Sequence, residues 1–138
     1  MNKKVKVLIA PIKNMSEPKK RKVKKGTMTL DGIIESQVPD TYDFIHGFGV
    51  EDNITKIALH QPEIVFIIQN KPMDGLDLLT NIKLLHPSTV VFIFMFEIVD
   101  DEQETTDAYM AAGAYRCCFP PLNIDQITHD MHVALNLE

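Results

Sequence analysis

No apolar run in these 138 residues approaches the length needed to cross a bilayer. The longest, over 90–96, suits a buried strand. Cysteine is scarce: only Cys117 and Cys118 occur, side by side. Sequence neighbours rarely pair, so they are expected to be reduced thiols of a cytoplasmic protein, not a disulfide framework. A secretory leader is not expected either. The apolar stretch after Lys3, Lys4 and Lys6 is short, is broken by Pro11 and lacks a small-residue cleavage pattern.

What is present is the balance of a globular domain. A hydrophobic share of 45% and a charged share of 24% in this length predict one domain, 1–138, with a core that needs no staples. Charge is segregated along the chain. Residues 1–25 hold ten Lys or Arg against Glu17 alone, for +9. The remainder holds four basic and eighteen acidic side chains, for −14, which gives the net −5. Such asymmetry predicts a basic arm for nucleic acid or an acidic partner, carried on an acidic body.

Hydrophobic patterning divides the chain into alternating strands and helices. Residues 5–10 start as an alternating strand and become fully apolar, and Pro11 ends them. The stretch 12–28, with Pro18, Gly26 and many charges, reads as a loop or insertion. A short helix is expected over 29–37, with Leu30, Ile33 and Ile34 on one face, stopping before Pro39. Residues 41–48 read as a strand, and 51–60 as a helix with Ile54, Ile57 and Ala58 inward. A β-favouring run follows over 64–68, then a polar turn from Gln69 to Pro72. Leu76, Leu79, Ile82 and Leu85 repeat at helical spacing until Pro87. Beyond them come a strand over 90–96, a helix over 101–112 stopped by Gly113, and a short strand over 115–119. A last helix is lined by Ile124, Ile127, Met131, Ala134 and Leu135. Strands apolar on both faces, alternating with helices, predict an α/β fold with a parallel sheet covered on both sides.

The order of several short motifs resembles response-regulator receiver domains. They are Pro62-Glu63-Ile64-Val65-Phe66, then Pro72-Met73-Asp74-Gly75-Leu76-Asp77-Leu78-Leu79, then Ala112-Gly113-Ala114, then Pro121-Leu122. The resemblance covers 51–138 and is weak over 11–50. It implies a doubly wound, five-stranded parallel sheet of the flavodoxin type, flanked by helices, with functional groups at the carboxyl ends of the strands. It also implies phosphoryl transfer to an Asp at the end of the third strand. That chemistry needs a carboxylate nucleophile, a divalent cation, and a cation plus a hydroxyl to hold the phosphoryl oxygens.

Set against that pattern, each reactive position here is replaced. Counting back from Pro72, the phosphoacceptor falls on Ile68. One residue is missing between Pro72 and Met73, but Phe66, Ile67 and Gln69 are not carboxylates either. The acidic pair that binds Mg²⁺ corresponds to Ala10 and Pro11, which offer no carboxylate. The Ser or Thr after the fourth strand becomes Met95 or Phe96. The Lys before the family's proline becomes Pro120, and the aromatic switch residue becomes Cys117. Asp74 and Asp77, at a helix start, suit the helix dipole. Glu97, Asp100 and Asp101 read as a solvated helix start and cap. Glu17 can reach over the first loop, although nothing requires it.

Other features carry weaker signals. Lys19, Lys20, Arg21, Lys22, Lys24 and Lys25 form a basic run that resembles a nuclear import signal and equally suits a polyanion. It contains no aromatic for base stacking, and the acidic body opposes nucleic acid. His129 and His132 sit three apart but lack a third ligand, so no metal and no cofactor are expected. His60 and His86 close helices before prolines. Gly47-Phe48-Gly49 is a turn rather than a phosphate loop. The resemblance implies a partner surface made by the helix over 101–112, the strand over 115–119 and the last helix. Tyr109, Met110, Tyr115, Arg116, Cys118 and Ile124 are its candidate residues, set against a plain core role for Tyr109 and Met110. The expectation is a non-enzymatic, phosphorylation-independent pseudo-receiver that binds a signalling protein or a second copy of itself and no membrane. The alternative is a nucleic-acid-associated regulator using 19–25.

Overall fold

β-Branched and aromatic residues in unbroken runs make the central strands, because both faces of each strand are covered. The computed structural model of the chain describes residues 4–13, 32, 34, 40–69, 71, 73–96 and 100–136. Its elements are β1 (Val5–Pro11), β2 (Tyr42–His46), α1 (Val50–His60), β3 (Ile64–Gln69), α2 (Leu76–Leu85), β4 (Val90–Met95), α3 (Glu102–Ala111), β5 (Arg116–Cys118) and α4 (Ile124–Ala134). Gly32 and Ile34 also have helical backbone. The five strands are all parallel, in the order β2-β1-β3-β4-β5.

Because side chains alternate along a strand, β3 divides its residues between two cores. Val65 and Ile67 join Leu8, Ala10, Val91 and Ile93 on one face, against Ile57 of α1, Leu78, Leu79 and Ile82 of α2, and Tyr109 of α3. Ile64 and Phe66 join Val7, Phe92 and Phe94 on the other, against Ile34 and against Ile127 and Met131 of α4. Phe66 and Phe94 lie 4.8 Å apart between centroids, tilted, and Phe66 and Phe92 lie 5.6 Å apart. Each such pair contributes about 0.5–1.5 kcal/mol beyond its buried area. The doubly wound sheet expected from the sequence is therefore present.

Several helix faces differ from their expected orientation. On α1 the buried residues are Asn53 and Ile57, whereas Ile54 is 41% exposed and Ala58 faces solvent. Asn53 is drawn inward because its amide donates to the carbonyl of Pro11 at 2.8 Å, which rotates its neighbours away. On α2, Leu85 is 67% exposed and Leu78 takes a core place. A strict three-residue repeat falls behind the 3.6-residue turn by about 60° per step, so it leaves the core face within two turns. β2 is shorter than 41–48, since the chain at Gly47 and Phe48 is already turning into α1. Phe96 lies past β4, 45% exposed. Gly113 stops α3 as expected, with φ of 107°.

Candidate functional site

Strand register sets what the carboxyl edge of the sheet can do. Pro11 pairs with Ile68, Ile68 with Phe94, and Phe94 with Cys118, so these four form one row across β1, β3, β4 and β5. The row before it is Ala10, Ile67, Ile93 and Cys117, and Gln69 pairs with Met95 just beyond. The sequence-derived positions Ala10, Pro11, Ile68, Met95 and Cys117 are thus brought together, and Pro120 follows in the turn after β5, in a cis Pro120–Pro121 peptide. Neither row contains a carboxylate, a hydroxyl or a cation. Neither row offers a carboxylate acceptor or an acidic pair for Mg²⁺.

The polar groups at this edge are occupied by one another. Gln69 is not the first residue of a turn; it ends β3 and is 2% exposed. Its Oε1 accepts from the backbone N–H of Gly75 at 2.7 Å and from the hydroxyl of Tyr109. Its Nε2 donates to Met95 Sδ at 2.9 Å. The Gly75 N–H is shared with the Tyr109 oxygen at 3.1 Å. A single amide therefore ties β3, β4, the start of α2 and the end of α3 together. Gly75 is required by close approach: an added Cβ would lie 2.6 Å from both Gln69 Oε1 and Ile67 Cγ2. Leading into α2, Met73 takes φ of 72°, in the turn that is one residue short of the receiver pattern.

Tyr109 thus leaves the candidate interface: it is 0% exposed and belongs to the core. Burial pushes its hydroxyl pKa up. Cys118 and Ile124 are half-buried against the second core, and Tyr115 packs there too, 5.4 Å from the Phe92 ring. Met110 and Arg116 remain open to solvent. Arg116 Nε lies 3.1 Å from Asp130 Oδ2, and Asp130 is 4% exposed and also accepts from Gln126. Burial pushes the thiols of Cys117 and Cys118 up to about 11 and about 12, which leaves them as packing groups rather than thiolate sensors.

The remaining carboxylates fall elsewhere. Asp101 caps α3, accepting from the N–H of Glu104 at 2.8 Å. Asp74 and Asp77 are exposed around the start of α2, and Asp100 is exposed before α3. Among the described residues no three His, Cys, Asp or Glu gather as metal ligands. His132 packs its ring on Tyr42 with centroids 5.7 Å apart. The basic run 19–25, Glu17 and Glu97 lie outside the described residues. Sequence reading missed the pairing of Gln69 with Tyr109, although a lone amide closing an apolar β run was a usable sign of it.

The chain matches no protein-family model and no curated protein. Solved structures match it closely in fold. A two-component response regulator from Clostridium difficile superposes with a TM-score of 0.71 at 16% identity, over 96% of this chain and 97% of that one. Its fold is that of response-regulator receiver domains. An orphan response regulator of H. pylori shares the receiver fold at a TM-score of 0.68 and 17% identity, covering 95% of this chain and 96% of that one. NtrX from Brucella abortus, solved with ADP, matches at 0.69 and 20% identity over 98% of this chain. The receiver fold here spans 28% of the NtrX chain, so that likeness concerns one part of a longer protein.

Proposed function

We propose that this chain is a non-catalytic signalling module of the receiver fold, one that binds a protein partner and takes up no phosphoryl group. The observation that carries the reading is the edge row Pro11, Ile68, Phe94 and Cys118, with Gln69 above it bonded to Gly75 and Met95. Phosphoryl uptake of the receiver kind needs a carboxylate nucleophile and a countercharge at that place; the row supplies neither, and burial keeps the Cys118 thiol protonated. Support for a partner surface comes from the opposite end of the sheet. Met110 is 45% exposed on α3, and Arg116 stands on β5, a sheet edge, oriented by Asp130. Met and Arg are residue types enriched at interface cores.

Incubation with radiolabelled acetyl phosphate and Mg²⁺ tests the first half, and no base-labile label is expected on the protein. Label on Asp74, or on any other carboxylate, overturns the reading. For the second half, the tagged chain and its Met110→Glu and Arg116→Glu variants are used to capture proteins from the source cell. Loss of a captured protein in both variants, with unchanged circular dichroism, supports this surface; equal capture by all three removes it.

A further inference from the structure

A cleft opens beside the edge row. Its lining is Pro11, Ile12 and Lys13 after β1, and Ile68, Gln69, Lys71 and Asp74 after β3, and its volume is about 640 Å³. That size falls in the range of small-molecule pockets. Its place is informative too. In the order β2-β1-β3-β4-β5 the connections leave β1 and β3 in opposite directions, so the switch point of the sheet lies between these two strands. Ligands of doubly wound sheets sit outside the carboxyl ends of the strands at such a point.

Two kinds of surface meet in the cleft. Pro11, Ile12 and Ile68 give an apolar floor. The amide oxygen of Gln69 is spent on Gly75 and Tyr109, and one of its two N–H donors on Met95. Lys13 and Lys71 are exposed, and neither has an ion-pair partner among the described residues. For Lys71 this is unusual within the chain. After residue 25 the basic side chains are Lys56, Lys71, Lys83 and Arg116. Lys56 is held by Asp52 at 2.9 Å, Lys83 by the carbonyls of Pro87 and Thr89, and Arg116 by Asp130. Lys71 alone of the four is uncommitted among the described residues. Among the described residues of the lining, Asp74 is the one carboxylate, against the two lysines.

We propose that this cleft binds a small organic anion: an acidic group set between Lys13 and Lys71, and an aromatic or aliphatic body laid on Pro11, Ile12 and Ile68. The proposal rests on the reading that phosphoryl chemistry is absent, and it supplies that module with a ligand in place of the phosphoryl group. An acid with an apolar body gains from both surfaces, whereas inorganic phosphate gains only from the lysines.

The test is an NMR titration of the full isotope-labelled chain with 8-anilinonaphthalene-1-sulfonate, an aromatic sulfonate. Inorganic phosphate and Mg²⁺ with beryllofluoride are added to separate samples. Saturable shifts at Ile12, Ile68 and Lys71 are expected with the sulfonate. Lys13→Glu combined with Lys71→Glu should weaken its binding by roughly tenfold or more, because two attractions become two repulsions. Both lysines are exposed, so the variant should fold, and its spectrum verifies this. Shifts confined to the exposed Leu59, Leu84 and Leu85, or equal affinity in the double variant, overturn the proposal. Equal or tighter response to phosphate also overturns it, since the apolar floor would then contribute nothing. A response to beryllofluoride with Mg²⁺ would instead remove the reading of absent phosphoryl chemistry, an outcome separate from silence towards the sulfonate.

Discussion

Replacing Gln69 by leucine keeps nearly the same volume and removes the amide that joins four elements. In the variant, the Gly75 N–H retains the Tyr109 oxygen at 3.1 Å, but the Tyr109 O–H loses its acceptor inside the core. An unpaired buried hydroxyl costs about 1–3 kcal/mol, and the added apolar burial of leucine offsets part of it. A net loss of about 1–2 kcal/mol is expected. For 138 residues 1 kcal/mol is worth roughly 3–4 °C, so Tm should fall by about 3–8 °C. Tyr109→Phe leaves Gln69 Oε1 with the Gly75 N–H and should cost about 1 kcal/mol. Combining the two removes the stranded Tyr109 O–H but strips the buried Gly75 N–H of both its acceptors, so the double variant should lose at least as much as Gln69→Leu alone. Urea unfolding at constant m-value measures all three. A Gln69→Leu variant or a double variant as stable as the parent would refute the linkage.

The second buried tyrosine behaves differently. The Tyr42 hydroxyl has no hydrogen-bond partner among the described residues, so Tyr42→Phe should be neutral or stabilising by up to about 1 kcal/mol in the same urea assay. Its pKa is pushed from 10.0 up to about 12 by burial. The unfolded chain therefore ionises first, and this contribution to stability is complete below the unfolded pKa and is lost as pH rises from there towards the folded one. Urea midpoints between pH 8 and 11 should fall less steeply in Tyr42→Phe than in the parent. Gly75→Ala should destabilise by about 1–3 kcal/mol, because the fully buried Ile67 cannot yield space to a Cβ; an unchanged midpoint would contradict the packing at that turn. At pH 8 the two thiols should react slowly with a disulfide reagent in the native chain and fast in urea, and comparable rates would place them in solvent. A site binding Mg²⁺ at about 1 mM would raise stability by about 1.4 kcal/mol in 10 mM Mg²⁺, roughly 4–5 °C; calorimetry should detect less than about 1 °C here.

Strand identity was legible because a strand buried on both faces leaves a continuous apolar run, as in 64–68 and 90–96. Helix faces were less so. A hydrophobicity pattern treats Asn53 as outward, and only the tertiary bond to the Pro11 carbonyl turns it in. The run Leu76, Leu79, Ile82 and Leu85 fits a helix but overstates its apolar stripe, since Leu85 ends exposed where the chain turns towards Pro87. Tyr109 was ambiguous for a similar reason. A tyrosine is amphipathic, and its burial depended on an acceptor forty residues away in sequence, Gln69.

The loss of carboxylates at the strand ends was legible from residue identity alone, but its electrostatic consequence was not. Carboxylates gathered at one edge of a sheet repel one another and need a cation there. Here apolar side chains occupy Pro11, Ile68 and Phe94, and the neutral amide of Gln69 satisfies its polar neighbours without any ion. Nearby positive charge faces no acidic pair at Ala10 and Pro11. Lys13 and Lys71, far apart in sequence, then face one cleft in which Asp74 is the one carboxylate among the described residues. On the proposed reading, hydrocarbon rather than acids at the row makes the neighbouring cleft favour an organic anion over a divalent cation.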